Sequence, residues 1–189
     1  LLQFLLKDDK AFTRLIVFCR TKLVADSIYR FLERRYGEDG VRVIHANKGQ
    51  NTRINSINAF KEGNIRILVA TDVAARGLDV SHVSHVINFD VPIIIEDYVH
   101  RIGRTGRAQQ TGDAITFCTP GEIYYIQKIE KLIRQAIPLL EIPTTVFIED
   151  TPYEERQAIA REIDGQKRKE NPDFKGAFHE KKTKNIRQT

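Results

Sequence analysis

Methionine is missing from all 189 residues, and cysteine occurs only twice. Translation starts on Met, and the chain opens in mid-pattern at Leu1-Leu2-Gln3-Phe4-Leu5-Leu6, as at the end of an amphipathic helix. It therefore reads as a piece of a longer protein. Long apolar runs are missing too: residues 91–95 form one of the longest, against the ~18 residues needed to cross a bilayer. Residues 1–6 lack the basic lead of a secretory leader and run straight into Lys7-Asp8-Asp9-Lys10. These absences lead us to expect a cytoplasmic protein with no membrane partner. Cys19 and Cys118 each end a β-like apolar run, which predicts two reduced core thiols. With no CxxC pair, and no ligand spacing among the five histidines, no metal site is expected.

What is present fits one core of ordinary size: 41% of residues are hydrophobic and 29% charged. The net charge of +5 is uneven, because residues 151–189 carry 10 Lys+Arg against 7 Asp+Glu. A mildly basic body with a more basic tail permits a polyanionic partner. Short β-branched runs at 15–19, 41–45, 65–70, 83–89 and 114–118 predict buried strands. Between the early ones lie helical stretches. Residues 23–36 set Leu23, Ile28, Phe31 and Leu32 near one face, and 52–61 do the same with Ile54, Ile57 and Phe60. Strands alternating with helices give an α/β fold, a mainly parallel sheet flanked by helices on both faces through right-handed crossovers. After the sheet, 120–136 reads as an amphipathic helix with Thr119-Pro120-Gly121-Glu122 at its start. Residues 144–148 could form a short strand or extended edge, and a polar helix is expected from 151 to about 169 with Pro152 in its first turn. The chain thus divides into a domain at 1–150 and a helical, then basic and flexible, extension at 151–189.

In open parallel sheets ligands bind at the carboxyl ends of the strands. There the sequence sets Arg20-Thr21-Lys22, then 46–53 with Gly49, Gln50 and Arg53, then Thr71 to Asp79 with Arg76 and Gly77. Hydroxyls, amides and basic groups along one edge suit a sugar-phosphate backbone, which they bind without reading bases. The densest signal is Tyr98-Val99-His100-Arg101-Ile102-Gly103-Arg104-Thr105-Gly106-Arg107. Such a stretch could be a solvated arginine face at a helix end. Its glycines argue for close approach to a ligand, with Arg104 and Arg107 reaching one phosphate together. Arginine is the side chain that charge on a transferring phosphoryl group calls for. No GxxxxGK[ST] loop accompanies these arginines. Phosphate-facing arginines without a phosphate loop point to arginine fingers that complete a nucleotide site on another domain.

Residues 15–117 resemble the second RecA-like domain of bacterial-type DEAD-box ATP-dependent RNA helicases. Ile16-Val17-Phe18-Cys19-Arg20-Thr21 is similar to motif IV and Gln50-Asn51-Thr52-Arg53 to the QxxR motif. The run from Ala70 to Asp79 is similar to motif V, and the run from His100 to Arg107 to motif VI. The resemblance implies a single RecA-like domain in which Arg104 and Arg107 are catalytic arginine fingers on the ATP γ-phosphate. Asp79 would touch the ATP ribose, with Gly77 and Gly103 at the same interdomain site, and His100 and Arg101 would couple the two domains. Arg20, Thr21, Gly49, Gln50, Arg53, Thr71 and Arg76 would face the RNA backbone. ATP and Mg²⁺ would be held mainly by an N-terminal RecA-like domain, the intramolecular partner, and this chain alone would be inactive.

Other residues carry plainer readings. His82 and His85 are expected to be surface or satisfied loop histidines, while His45, at a strand end, stays open. Most Phe and Tyr fall at apolar periodic positions and belong to the core, with Tyr124-Tyr125 a candidate for stacking. The lysine-rich stretches at 167–169 and 181–184 suit non-specific RNA affinity by counterion release. Two alternatives differ in class: a non-catalytic RecA-like module that docks RNA or protein, and part of a superfamily 2 DNA helicase.

Overall fold

The computed structural model describes residues 1–7, 12–76, 80, 83–105, 112–147, 152–171 and 173–174. Five strands form one sheet: β1 (Leu15–Cys19), β2 (Val41–Ile44), β3 (Ile67–Thr71), β4 (His85–Asn88) and β5 (Asp113–Thr116). Every pairing is parallel and the order is β2-β3-β1-β4-β5, so β1 is central between β3 and β4. Alternation along β1 divides the core. Leu15, Val17 and Cys19 pack with α1 (Leu2–Leu5) and α2 (Lys22–Tyr36), whereas Ile16 and Phe18 pack with α3 (Gln50–Lys61) and α4 (Asp72–Ala75). Helices therefore cover both faces, as the alternating pattern predicts.

Local chemistry sets the ends of α2. The Thr21 hydroxyl accepts the Val24 N–H at 3.2 Å, and Gly37 ends the helix at φ 72°, where its N–H reaches the Glu33 carbonyl at 2.8 Å. The face of α2 differs from expectation. Leu23 is 75% exposed and Phe31 40%, while Ala25 and Leu32 are buried, with Val24, Ile28, Tyr29 and Tyr36 packed around them. Ile54 is likewise exposed on α3.

α5 (Ile95–Ile102) opens with Glu96 and Asp97 and closes with His100 and Arg101, the charge order its dipole favours. Val91 and Tyr98 pack against Tyr125 and Ile129 of α6 (Ile123–Ile133), and Ile163 of α7 (Tyr153–Glu170) joins this third cluster. The helix expected at 120–136 is a 3₁₀ turn (Pro120–Glu122) followed by α6, which stops where Arg134 turns left-handed at φ 56°. Residues 144–147 form a turn and irregular chain rather than a strand, and Ile148 lies outside the described residues. β5 is an edge strand that ends at Thr116, so Cys118 is exposed and not the core thiol expected. His85 lies in β4, its ring 4.3 Å from that of Phe12; His82 lies outside the described residues. Among the described residues no helix is long and apolar enough to cross a membrane.

Candidate active site and nucleic-acid interface

The carboxyl ends of β1, β3 and β4 converge on Arg101, which α5 presents from above. Its Nε and Nη2 donate to Asp72 Oδ1 and Oδ2 at 2.6 and 2.8 Å, a bidentate pair with the first residue of α4. Nη1 reaches the Asp90 carbonyl at 2.8 Å and Asn88 Oδ1 at 3.3 Å, and the guanidinium lies 5.4 Å from the centre of the Phe18 ring. Arg101 is 1% exposed. The expectation that Arg101 reaches across to a second domain is therefore corrected: its donors are used within its own sheet edge, where it holds α5 in place. Burial raises the Asp90 carboxyl above the usual carboxylate range, although the Arg20 amide and the Arg101 and Arg20 charges oppose the shift.

Beside this clamp opens a cleft of about 250 Å³, walled by Asp72, Arg76, Asp97, His100, Arg101 and Arg104. Arg76 Nη2 donates to both Asp97 oxygens at 3.0 and 3.1 Å, and His100 Nδ1 lies 3.6 Å from the same carboxylate. His100 is mostly exposed. Arg104 Nε donates to the His100 carbonyl at 3.1 Å, which fixes the start of its side chain at the rim. Gly103 makes the turn between them, and a Cβ there would sit 3.0 Å from the Val99 carbonyl. In these walls three guanidinium groups face two carboxylates, each already paired with an arginine. That balance suits a phosphate group. Among the described residues it offers no spare carboxylate to a divalent cation, which favours hard oxygen ligands. Gly77, Asp79 and Arg107 lie outside the described residues.

Of the residues expected to face RNA, the structure divides the set. Thr21, Gly49 and Gln50 are exposed at the amino ends of α2 and α3, and Arg53 is half-buried one turn into α3, its Nη1 3.5 Å from Gln50 Oε1. A Cβ at Gly49 would meet nothing closer than Thr52 Oγ1 at 4.0 Å, so packing within the chain does not demand glycine there. Arg76 belongs to the cleft. Thr71 is buried at the end of β3. Arg20 also departs from expectation: its guanidinium turns inward to the Val91 carbonyl at 2.9 Å and to the Glu122 carboxylate, while its amide donates to Asp90 Oδ2 at 2.9 Å. Glu122 Oε2 meanwhile accepts the amide and hydroxyl of Thr119 at 3.0 and 2.9 Å. Tyr125 is buried and Tyr124 is flanked by Lys128 and Lys167, 4.8 and 5.0 Å from its ring centre.

That Asp72, Asp90, Asp97 and Glu122 each anchor an arginine escaped the reading of the sequence. The available signal was position, since Asp72 directly follows β3 and Asp90 lies two residues beyond β4.

Comparison with known proteins bears on the same elements. The helicase conserved C-terminal domain matches residues 1–109. The DEAD-box ATP-dependent RNA helicase CshA of Geobacillus kaustophilus is 48% identical over 158 residues, which are 83% of this chain and 32% of that protein. The chain thus spans about a third of the length of such curated relatives. Among solved structures, the DEAD-box protein SrmB of E. coli, crystallised with regulator of ribonuclease activity A, superposes with a TM-score of 0.67 at 37% identity. That match covers 79% of this chain and 88% of the other. Domain 2 of the DEAD-box helicase Mss116p, bound to an RNA duplex, gives 0.66 at 26% identity over 85% and 60% of the two chains.

Proposed function

This chain belongs to the helicase conserved C-terminal domain family, in its DEAD-box branch with a RecA-like fold, and from that membership we propose that it is the second motor domain of an ATP-dependent RNA helicase. The observation that carries the reading is the arginine-walled cleft at the carboxyl end of the sheet, with Arg104 on its rim and its carboxylates already neutralised. Residues 1–150 are the motor domain and 151–189 its extension.

Arg104 and Arg107 act as arginine fingers on the terminal phosphate of ATP. ATP and Mg²⁺ are held mainly by an N-terminal RecA-like domain, with Asp79, Gly77 and Gly103 at the interdomain side. The buried Arg101–Asp72 pair fixes the angle at which α5 delivers Arg104, and His100 lies beside it on the exposed side of that helix. Exposed Thr21, Gly49 and Gln50, with Arg53 behind them, supply half of an RNA backbone surface on the β2 side. Hydroxyl, amide and peptide donors of this kind bind phosphates without sequence preference. Closure of the two domains brings fingers and RNA loops to their ligands together, so phosphate loss and release of a locally bent strand are coupled.

Arg104→Ala and Arg107→Ala, made separately in the whole protein, test this reading. RNA-stimulated ATP hydrolysis should fall by about 10³-fold or more in each, with RNA affinity nearly unchanged. Normal RNA-stimulated turnover in either variant would remove that arginine from the mechanism.

A further inference from the structure

We propose that His45 is a positioning residue for the 46–50 loop, which it locks through the acceptor nitrogen of its ring. The inference rests on the reading of that loop as RNA-facing. His45 directly follows β2 and is 1% exposed, so its ring has no access to a ligand. Both ring nitrogens are nevertheless engaged. The Asn47 N–H donates to Nδ1 at 3.2 Å, which makes Nδ1 the unprotonated nitrogen and leaves Nε2–H to donate to Asp26 Oδ1 at 3.0 Å. Asp26 projects from α2 and also pairs with Lys48 Nζ at 3.1 Å. Burial alone would raise the Asp26 carboxyl, but the hydrogen bonds from His45 and Lys48 outweigh it and hold the group below its usual range.

One ring thus joins three parts: the end of β2, the first half of α2, and the turn that leads to Gly49 and Gln50. Other ties of this turn are the Lys48 N–H to the His45 carbonyl at 3.0 Å, the Lys48–Asp26 ion pair, and Lys22 Nζ to Asn47 Oδ1 at 3.2 Å. The Lys22 tie is exposed to solvent and open to competition from water. The bond to Nδ1 has a buried acceptor. A histidine that merely filled space would need neither a set tautomer nor an acceptor aimed at a loop amide.

Two substitutions separate the roles of the ring. His45→Gln extends an amide toward Asp26 but leaves the Asn47 N–H without its acceptor. His45→Asn sets an oxygen beside the Asn47 N–H and falls short of Asp26. The readout is ATP hydrolysis by the whole protein, titrated with single-stranded oligouridine RNA. His45→Gln should raise the RNA concentration at half-maximal rate roughly five- to tenfold, with turnover at saturating RNA unchanged. His45→Asn should stay within about twofold of wild type. Equal shifts in both variants, or no shift in His45→Gln, would reduce His45 to a packing residue and overturn the inference. Should Gln prevent folding, hydrogen exchange of the Asn47 amide in the wild-type protein carries the test: its bond to Nδ1 should slow exchange about tenfold or more, and exchange at the rate of an unbonded amide overturns the inference. If RNA fails to stimulate the wild-type protein, the functional reading itself falls and this inference with it, an outcome seen before any variant is made.

Discussion

At the amino end of the sheet, Arg14 and Arg66 meet carbonyls and rings; at the carboxyl end Arg101, Arg76 and Arg20 each meet a carboxylate. Arg14 donates to the Phe60 carbonyl and lies 4.9 Å from that ring's centre, and Arg66 Nε reaches the Phe12 carbonyl at 2.7 Å beside Tyr36. Across the sheet, Arg101 pairs with Asp72, Arg76 with Asp97 and Arg20 with Glu122. Contacts of the first kind hold elements together and leave little charge to disturb. A buried ion pair contributes modestly as a pair and costs heavily when one member is lost. Among the described residues, the fold thus concentrates arginine–carboxylate pairs at the edge where an anionic ligand would arrive.

Substituting one arginine at each end gives the sharpest contrast. Arg101→Met leaves Asp72 beside the sheet without its guanidinium and should cost about 3–5 kcal/mol in urea unfolding. Arg14→Met loses a carbonyl contact and a ring contact and should cost about 1–2 kcal/mol by the same measurement. Equal costs would erase the distinction between the two ends. A smaller effect is expected from Thr21→Ala, which removes an uncharged cap from the carboxyl edge. Unfolding should show a loss of about 1 kcal/mol, and a loss as large as that of Arg101→Met would mean that charge is not what sets this edge apart.

The smallest effect is a pH slope that belongs to the amino end. Burial lowers the His85 pKa against the opposing charge of Asp113, so the folded chain binds this proton less readily than the unfolded chain. Stability is then lost as pH falls through the unfolded histidine value of about 6.5 toward the lower folded one. Asp90 has the opposite sign: its raised pKa means that the folded state holds the proton better, and stability is gained as pH falls through the folded value. Comparing stability between about pH 7.5 and 5.5 in wild type and His85→Asn isolates the first contribution. An identical slope in the variant would assign it elsewhere.

Much of the sheet was legible because β-branched runs identify buried parallel strands, and all five expected strands are present to within a few residues. α5 was hidden because Val91-Pro92-Ile93-Ile94-Ile95 looks extended, and its helix is held by the packing of Ile95, Tyr98 and Ile102 with Tyr125 and Ile129. Leu23 was misjudged because an apolar residue in the first turn of a helix need not share the face defined by Ala25, Leu32 and Tyr36. Arg101 shows the deeper difficulty. Spacing groups it with Arg104, but only three-dimensional structure reveals that it faces Asp72 inside the domain while Arg104 stays on the rim. Residue type pointed to phosphate chemistry; which arginine holds the scaffold depends on carboxylates that become neighbours only on folding.

The strand order also sets a timetable for synthesis. β1 pairs with β3 and β4, and β2 reaches the sheet through β3. A growing chain therefore makes two strands that cannot pair with each other, and Leu15–Cys19, apolar along its whole length, waits without a neighbour until Ile67–Thr71 has been made. Assembly cannot zip forward from the first strand; it starts from its third, once loops of long sequence separation have closed. Until then the newborn segment exposes its stickiest strand, and a chaperone that shields it during that interval would guard yield rather than final stability.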